Sequence, residues 1–248
     1  MSVVFIGDLH LDSFTDFGIR RYWQTVTDKV PLSTDLVVLV GDICDGNPLQ
    51  HQLVVDFLTA LSSRYKRVVA VLGNHDYYHR SCEWSLVGAY RLLGIDVFNN
   101  QCVEFDGVGT VLFSTLWAGL TDESNIHNTV AVVNDFAAIK DFTPEYCIAE
   151  HNRAVKYIKE NYHKADYVVT HFAPSYMSKS EQYKNKPQPH IDQYFYTELF
   201  NYGALDSILD SENSVQWVHG HTHTTLQYSV TDNLTVSSVG ACEFLHLN

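Results

Sequence analysis

Val3-Val4-Phe5-Ile6-Gly7-Asp8-Leu9-His10 is the stretch whose reading decides the fold. Four apolar residues, three of them β-branched, fit a strand buried on both faces, and a glycine then releases the chain into two side chains that can ligate. The pattern recurs twice. Leu36-Val37-Val38-Leu39-Val40 runs into Gly41-Asp42-Ile43-Cys44-Asp45, and Val68–Leu72 runs into Gly73-Asn74-His75-Asp76. Between these runs, 19–30 and 49–65 have apolar residues at helical spacing, such as Leu53, Phe57, Ala60 and Leu61. Aliphatic strands alternating with helices predict a parallel sheet covered on both faces. Asp8 and Asp42 are 34 residues apart and Asp42 and Asn74 are 32 apart, each about one βαβ unit. The three motifs therefore emerge along one edge, at the carboxyl ends of strands, where open α/β sheets bind ligands.

The rest of the chain adds two more such exits. A strand over 167–170 delivers His171, and a strand over 215–218 delivers His221 and His223 in Gly220-His221-Thr222-His223. Helices are predicted over 83–93, 143–163 (with Pro144 in the first turn) and 197–209, and further strands over 110–116, 226–230 and 234–239. Thr231-Asp232-Asn233 joins the last two as a hairpin turn. Segment 175–196 is polar, holds Pro187 and Pro189 and lacks periodicity, so it reads as a functional loop or lid. No linker rich in Pro, Gly or Ser interrupts the chain, which predicts a single domain over 1–248.

Composition narrows the partners. With 46% hydrophobic and 18% charged residues in 248, the chain is not a disordered one. No apolar run approaches bilayer length, and the first residues read as a strand, not a secretory signal. Five cysteines, an odd number without CxxC, predict reduced thiols and a cytoplasmic protein. Sixteen basic against 29 acidic residues give a net charge of −13. That excludes duplex nucleic acid held by general phosphate neutralisation, and an anionic membrane surface. A small phosphate substrate stays compatible, because bound cations reverse the local field. Nothing in the sequence sets the oligomeric state.

Asp8, His10, Asp42, Asn74, His171, His221 and His223 are too many donors for one tetrahedral ion. They suit two divalent cations roughly 3.5–4 Å apart sharing a carboxylate. Imidazole donors argue against calcium and for zinc, iron, manganese or nickel. Two dications, two carboxylates and one hydroxide leave the cluster at about +1, an anion trap inside an acidic protein.

The ordered set Asp8-x-His10, Gly41-Asp42-x-x-Asp45, Gly73-Asn74-His75-Asp76, His171 and Gly220-His221-x-His223 resembles the calcineurin-like metallophosphoesterase superfamily over nearly the whole chain. Leu116-Trp117, Asn134-Asp135-Phe136, Thr170-His171-Phe172-Ala173-Pro174 and Trp217-Val218-His219 are similar to a branch of small microbial and phage metallophosphoesterases. The resemblance implies a four-layer α/β/β/α sandwich of two mixed sheets flanked by helices. It implies that Asp8, His10 and His223 hold one metal, Asn74, His171 and His221 a second, and Asp42 bridges them. It further implies that a metal-bridging hydroxide attacks a phosphoester in line, that His75 protonates the leaving group and that Asp45 orients His75. Manganese is the first expected metal in vitro, with iron, zinc, nickel or magnesium as alternatives. Where the protein phosphatases of the superfamily carry Asp-Arg-Gly and a Glu, this chain has Asp45-Gly46-Asn47 and Asp76. Loss of that bidentate arginine favours small phosphodiesters or nucleotides over phosphoproteins. The alternatives are a single-strand nuclease or nucleic-acid end-processing phosphatase, and a non-catalytic protein-binding scaffold on the same fold. Arg80, Lys179, Tyr183 and Lys184 are the expected substrate contacts.

Overall fold

In the computed structural model, which describes residues 2–79, 83–200 and 213–247, the three aliphatic runs are strands β1 (Val3–Ile6), β2 (Leu36–Val40) and β3 (Val68–Val71). They pair in parallel, with Val3 opposite Leu36 and Val37 opposite Val68. Helices α1 (Asp16–Lys29) and α2 (Gln52–Arg64) make the two crossovers, and α3 (Glu83–Leu92) leads to a short β4 (Asp96–Val97). A hairpin of β5 (Gln101–Phe105) and β6 (Gly109–Ser114) follows. Then come α4 (Ile126–Val132), α5 (Asp135–Ala138), the long α6 (Pro144–Asn161) and β7 (Tyr167–Thr170). After α7 (Glu181–Lys184) and α8 (Pro189–Phe195), the described chain ends with β8 (Val215–His219), β9 (Leu226–Thr231), β10 (Leu234–Ser238) and β11 (Phe244–Leu247).

The parallel sheet read from the first three strands is the centre of one of two mixed sheets flanked by helices, the arrangement the resemblance implies. One runs β11-β1-β2-β3-β4 and the other β5-β6-β7-β8-β10-β9. Inner neighbours are parallel, while β11, β5 and β9 join antiparallel at edges. The pleat explains the continuous aliphatic runs. Val3, Phe5, Leu36, Val38, Val40, Val69 and Val71 share one core with Phe113, Val169 and Val218 of the facing sheet. The alternate residues, Val4, Ile6, Val37 and Leu39, belong to a second cluster with Ile19, Val26, Val54, Leu58 and Leu61 of the helices. Burying each such side chain contributes roughly 1.5–3 kcal/mol, so neither face tolerates a polar residue.

Some expectations need correction. The helix expected over 49–65 begins with a separate 3₁₀ turn, Pro48–Gln50, before α2. Residues 197–200 are not helical, and the remainder of the helix expected over 197–209 lies outside the described residues. Segment 175–196 is not irregular throughout, because it contains α7 and α8, the latter with Pro189 in its first turn. Among the described residues no helix is long and apolar enough to cross a membrane.

Candidate metal centre and active site

The strand exits are tight turns. Asp8 and His10 after β1, Asp42 after β2, and His221 and His223 after β8 all have left-handed backbones, with φ of 39°, 42°, 48°, 64° and 51°. Such conformations cost non-glycine residues on the order of 1 kcal/mol or more each and cluster at functional sites. Two glycines make room for these side chains. A Cβ on Gly41, itself at φ 84°, would lie 2.3 Å from His171 Nδ1, and one on Gly73 would lie 2.2 Å from Asp42 Oδ1.

All seven expected metal-ligand residues meet at this edge. Ligating atoms of Asp8, His10, Asp42 and His223 lie within 4.8 Å of one another, as do those of Asp42, His171 and His221, so the two groups share Asp42. Asn74 Oδ1 is 3.0 Å from His171 Nε2, which is 3.3 Å from Asp42 Oδ1. The Nε2 atoms of His10 and His223 face each other at 3.2 Å. Asp8 Oδ2 and His221 Nε2 are buried without a hydrogen-bond partner. Orphaned oxygen and nitrogen donors in two groups joined by one carboxylate fit a pair of divalent cations.

Neighbouring groups aim these donors. His171 Nδ1 donates to Val40 O at 2.9 Å, which leaves the Nε2 lone pair for the cluster. Asp8 Oδ1 accepts from the His221 backbone N–H at 2.8 Å, and Asp42 Oδ1 from that of His75 at 2.9 Å. Asn74 Nδ2 donates to Asp135 Oδ1 at 3.1 Å, which turns the amide oxygen toward the cluster. Tyr78 (2.7 Å) and Tyr194 also donate to the buried Asp135 carboxylate. Asp76 is no part of the cluster. It accepts from the backbone N–H groups of Gly73 and Ile43 and from the Tyr90 hydroxyl, tying the second motif to the third.

His75 Nδ1 is 2.8 Å from Asp45 Oδ1, and the Tyr78 ring stacks on the imidazole at 4.3 Å and 25°. Burial alone would lower the His75 pKa, but Asp42 and Asp45 outweigh it and hold it above the ordinary value. Burial raises the Asp8 carboxyl to about 8. Burial would raise Asp42 too, but His171, His75 and His10 hold it below the carboxylate range. Burial lowers His171, yet Asp42 and Asp8 prevail and bring it up to about 9. His221 is pushed well down by burial and then by His171.

Two cavities flank the cluster and meet at His75 and His223. One, about 390 Å³, is lined by Asp42, Asn74, His221, Tyr78, Val132, Ile191 and Phe195 among others. The other, about 510 Å³, is lined by Asp8, His10, Asp12, Asp45 and Phe14. The expected substrate contacts are not part of the cluster. Lys179 donates to both oxygens of Asp192, at 2.7 and 2.8 Å, and to Lys186 O, which engages its ammonium fully. Lys179 and Tyr183 line an adjoining cavity of about 260 Å³. Lys184 pairs with Glu181 on the surface and Arg80 lies outside the described residues. Tyr78, Tyr194, Phe195 and the role of Asp135 were not evident from sequence. Tyr78 is 57 residues from Asp135, with no motif linking them.

A family model for calcineurin-like phosphoesterases matches residues 1–225. The chain belongs to the calcineurin-like phosphoesterase family. Members of this family typically bind divalent metals, and the two groups around Asp42 are this chain's candidate ligands. Its calcineurin-like fold is similar to that of a phosphopantetheinyl hydrolase from Mycobacterium tuberculosis (TM-score 0.66, 16% identity, 97% of this chain and 90% of that one). It is also similar to a dimetal phosphatase from Danio rerio (TM-score 0.62, 14% identity, 99% and 91%). In sequence, this calcineurin-like chain is 23% identical to an uncharacterized protein of Acanthamoeba polyphaga mimivirus, covering 90% of this chain and 85% of that protein.

Proposed function

We propose that this chain is a dinuclear metal-dependent phosphohydrolase acting on small phosphodiesters or nucleotides, with one domain carrying the whole site. The observation behind this reading is the pair of ligand groups sharing Asp42, beside a histidine held by a carboxylate, with a cavity on either side. Asp8, His10 and His223 would hold one cation, Asn74, His171 and His221 the other, and Asp42 both. Bound there, divalent cations supply Lewis acidity, lowering the pKa of water and offsetting phosphoryl charge.

The chain's own residues do the rest. Asp45 accepts from His75 Nδ1, so the transferable proton sits on Nε2, and Asp42 and Asp45 favour the protonated form of the ring. His75 donates it to the departing oxygen, which spares an unstable alkoxide and contributes about 10²- to 10⁴-fold. The hydrogen bond from the His75 backbone N–H to Asp42 fixes the acid relative to the ligand groups. Asp45-Gly46-Asn47 puts no guanidinium beside them, which favours a small ester over a phosphoprotein. The free thiols Cys44, Cys102, Cys147 and Cys242 support a cytoplasmic setting.

The test is a turnover panel on the manganese-loaded protein. It compares an aryl monoester, an aryl diester, 3′,5′- and 2′,3′-cyclic nucleotides, a dinucleoside polyphosphate and single-stranded DNA. Hydrolysis of small diesters or nucleotides is expected. Two bound metals with no turnover of any substrate would overturn the proposal in favour of a scaffold. Salt-sensitive cleavage of the DNA alone would replace it with a nuclease.

A further inference from the structure

The cavity on the His221 side joins two kinds of lining. Besides the ligand groups, Asn134, Asp135 and Thr222, it is lined by Tyr78, Val132, Val133, Ile191 and Phe195. Among the described residues lining it there is no lysine or arginine. Lys179, on the neighbouring cavity, is neutralised by Asp192. The charged groups that line it are Asp42, Asp135 and the histidines.

The walls are built and held. Tyr78 stacks on His75 and its hydroxyl donates to Asp135. Phe195 stacks on His221 at 4.7 Å and 25°. Helices α4 and α8, which carry Val132 and Ile191, are tied by Gln193 Nε2 donating to Thr129 Oγ1 at 2.7 Å and by Thr129 Oγ1 donating to His190 O. Val132 is 55% exposed, an apolar β-branched residue at the rim with no core to fill.

We infer that this cavity receives the leaving group, and that the leaving group is an uncharged, ring-bearing alcohol, not one carrying a further phosphate or carboxylate. The inference rests on the phosphohydrolase reading above and names the substrate class of that site. His75, which protonates the departing oxygen, lines both cavities, but Tyr78, stacked on it, lines only this one, so the aromatic side of the acid faces this cavity. A ring slides between apolar walls and gains by leaving water. A second anion would sit beyond the ligand groups with no lysine or arginine among the described lining residues to meet it, and would be desolvated next to Asp135. Segment 175–196 thus contributes through Ile191 and Phe195, not through its lysines.

The experiment uses the full chain loaded with manganese and three phosphomonoesters of primary alcohols: 2-phenylethyl, ethyl and 2-carboxyethyl phosphate. Their leaving groups have similar acidity, so differences in kcat/KM report the cavity. The 2-phenylethyl ester is expected to exceed the ethyl ester tenfold or more, and the 2-carboxyethyl ester to fall below it. Val132→Lys should shrink the ratio between the phenylethyl and carboxyethyl esters at least tenfold. Equal kcat/KM for the three, or a preference for the carboxylate, overturns the inference. Calorimetric binding of 2-phenylethylphosphonate against ethylphosphonate separates the two readings. If none of these esters and none of the diesters and nucleotides of the turnover panel is hydrolysed but the phenyl compound still binds tenfold tighter, the hydrolase reading fails and the apolar cavity stands. If the two phosphonates bind alike, the cavity assignment fails.

Discussion

Replacing Asp135 by Asn should weaken one cation site and spare the other. In the native protein the Asp135 carboxylate accepts from Asn74 Nδ2 at 3.1 Å, from the Tyr78 hydroxyl at 2.7 Å and from Tyr194. An asparagine there has one acceptor oxygen and one donor group. Asn74 and Tyr78 share Oδ1 and Tyr194 is on Oδ2, so when the single oxygen stays with Tyr194 the new amide N–H takes the Oδ1 place and faces the Asn74 N–H, donor against donor. Asn74 escapes by turning its amide over, which removes its oxygen from the place 3.0 Å from His171 Nε2 and puts N–H there. A hydrogen bond to a charged acceptor contributes about 1.5–3 kcal/mol. That corresponds to roughly 10- to 100-fold, the usual loss when a group that orients a metal ligand is removed. The assay is calorimetric titration of manganese into cation-free protein, with circular dichroism to establish folding. One binding event should weaken 10- to 100-fold, the same event that Asn74→Ala weakens, while the other stays within about twofold. Unchanged affinity at both sites, or an equal fall at both, would refute the orientation argument.

Further expectations come from the same geometry. His75→Asn should keep the metal content and slow turnover by about 10²- to 10⁴-fold, most for poor leaving groups. Equal slowing of aryl and alkyl esters would contradict an acid role. Manganese at 100 times its Kd should stabilise the protein by about 2.7 kcal/mol per site, read as a rise in Tm over the chelated form. Burial lowers the pKa of His219 to about 4, so in the folded chain it stays neutral where the unfolded chain has already gained a proton. Stability is therefore full above about pH 6.5 and is lost as pH falls toward 4, by up to about 3 kcal/mol for this group. In cation-free protein, His219→Gln should flatten the Tm profile over that window, and an unchanged slope would discount the group. Gly73→Ala should destabilise by about 3 kcal/mol or more, because its methyl would lie 2.2 Å from Asp42 Oδ1. A chemical denaturation midpoint within error of wild type would show that the turn can relax.

What could be read from the sequence follows burial. β1, β2 and β3 are covered on both faces, so their composition alone marks them, and the ligating residues follow at once in the chain. The left-handed turns holding Asp8, His10 and Asp42 are local too, and adjacent glycines announce them. β4, β5 and β11 were missed because each is an edge strand or only two residues long, with exposed positions such as Gln101, Glu104 and His246 that break the pattern. Helices α4 and α8 have short apolar stretches whose meaning comes from packing against each other, about 60 residues apart in the chain. Asp135, Tyr78 and Tyr194 likewise act only as a set, and one sequence carries no trace of their meeting. The lysines of 175–196 looked available because composition cannot show that Asp192 already holds Lys179.

The ligands are drawn from both halves of the sandwich. Asp8, His10, Asp42 and Asn74 follow strands of one sheet, and His171, His221 and His223 follow strands of the other. Each of the two groups around Asp42 contains members from both. An ion seated in either group is a rivet through the two layers at that rim, so the halves cannot part there while it stays. Prying the sandwich open from this rim and emptying the site are then one mechanical event.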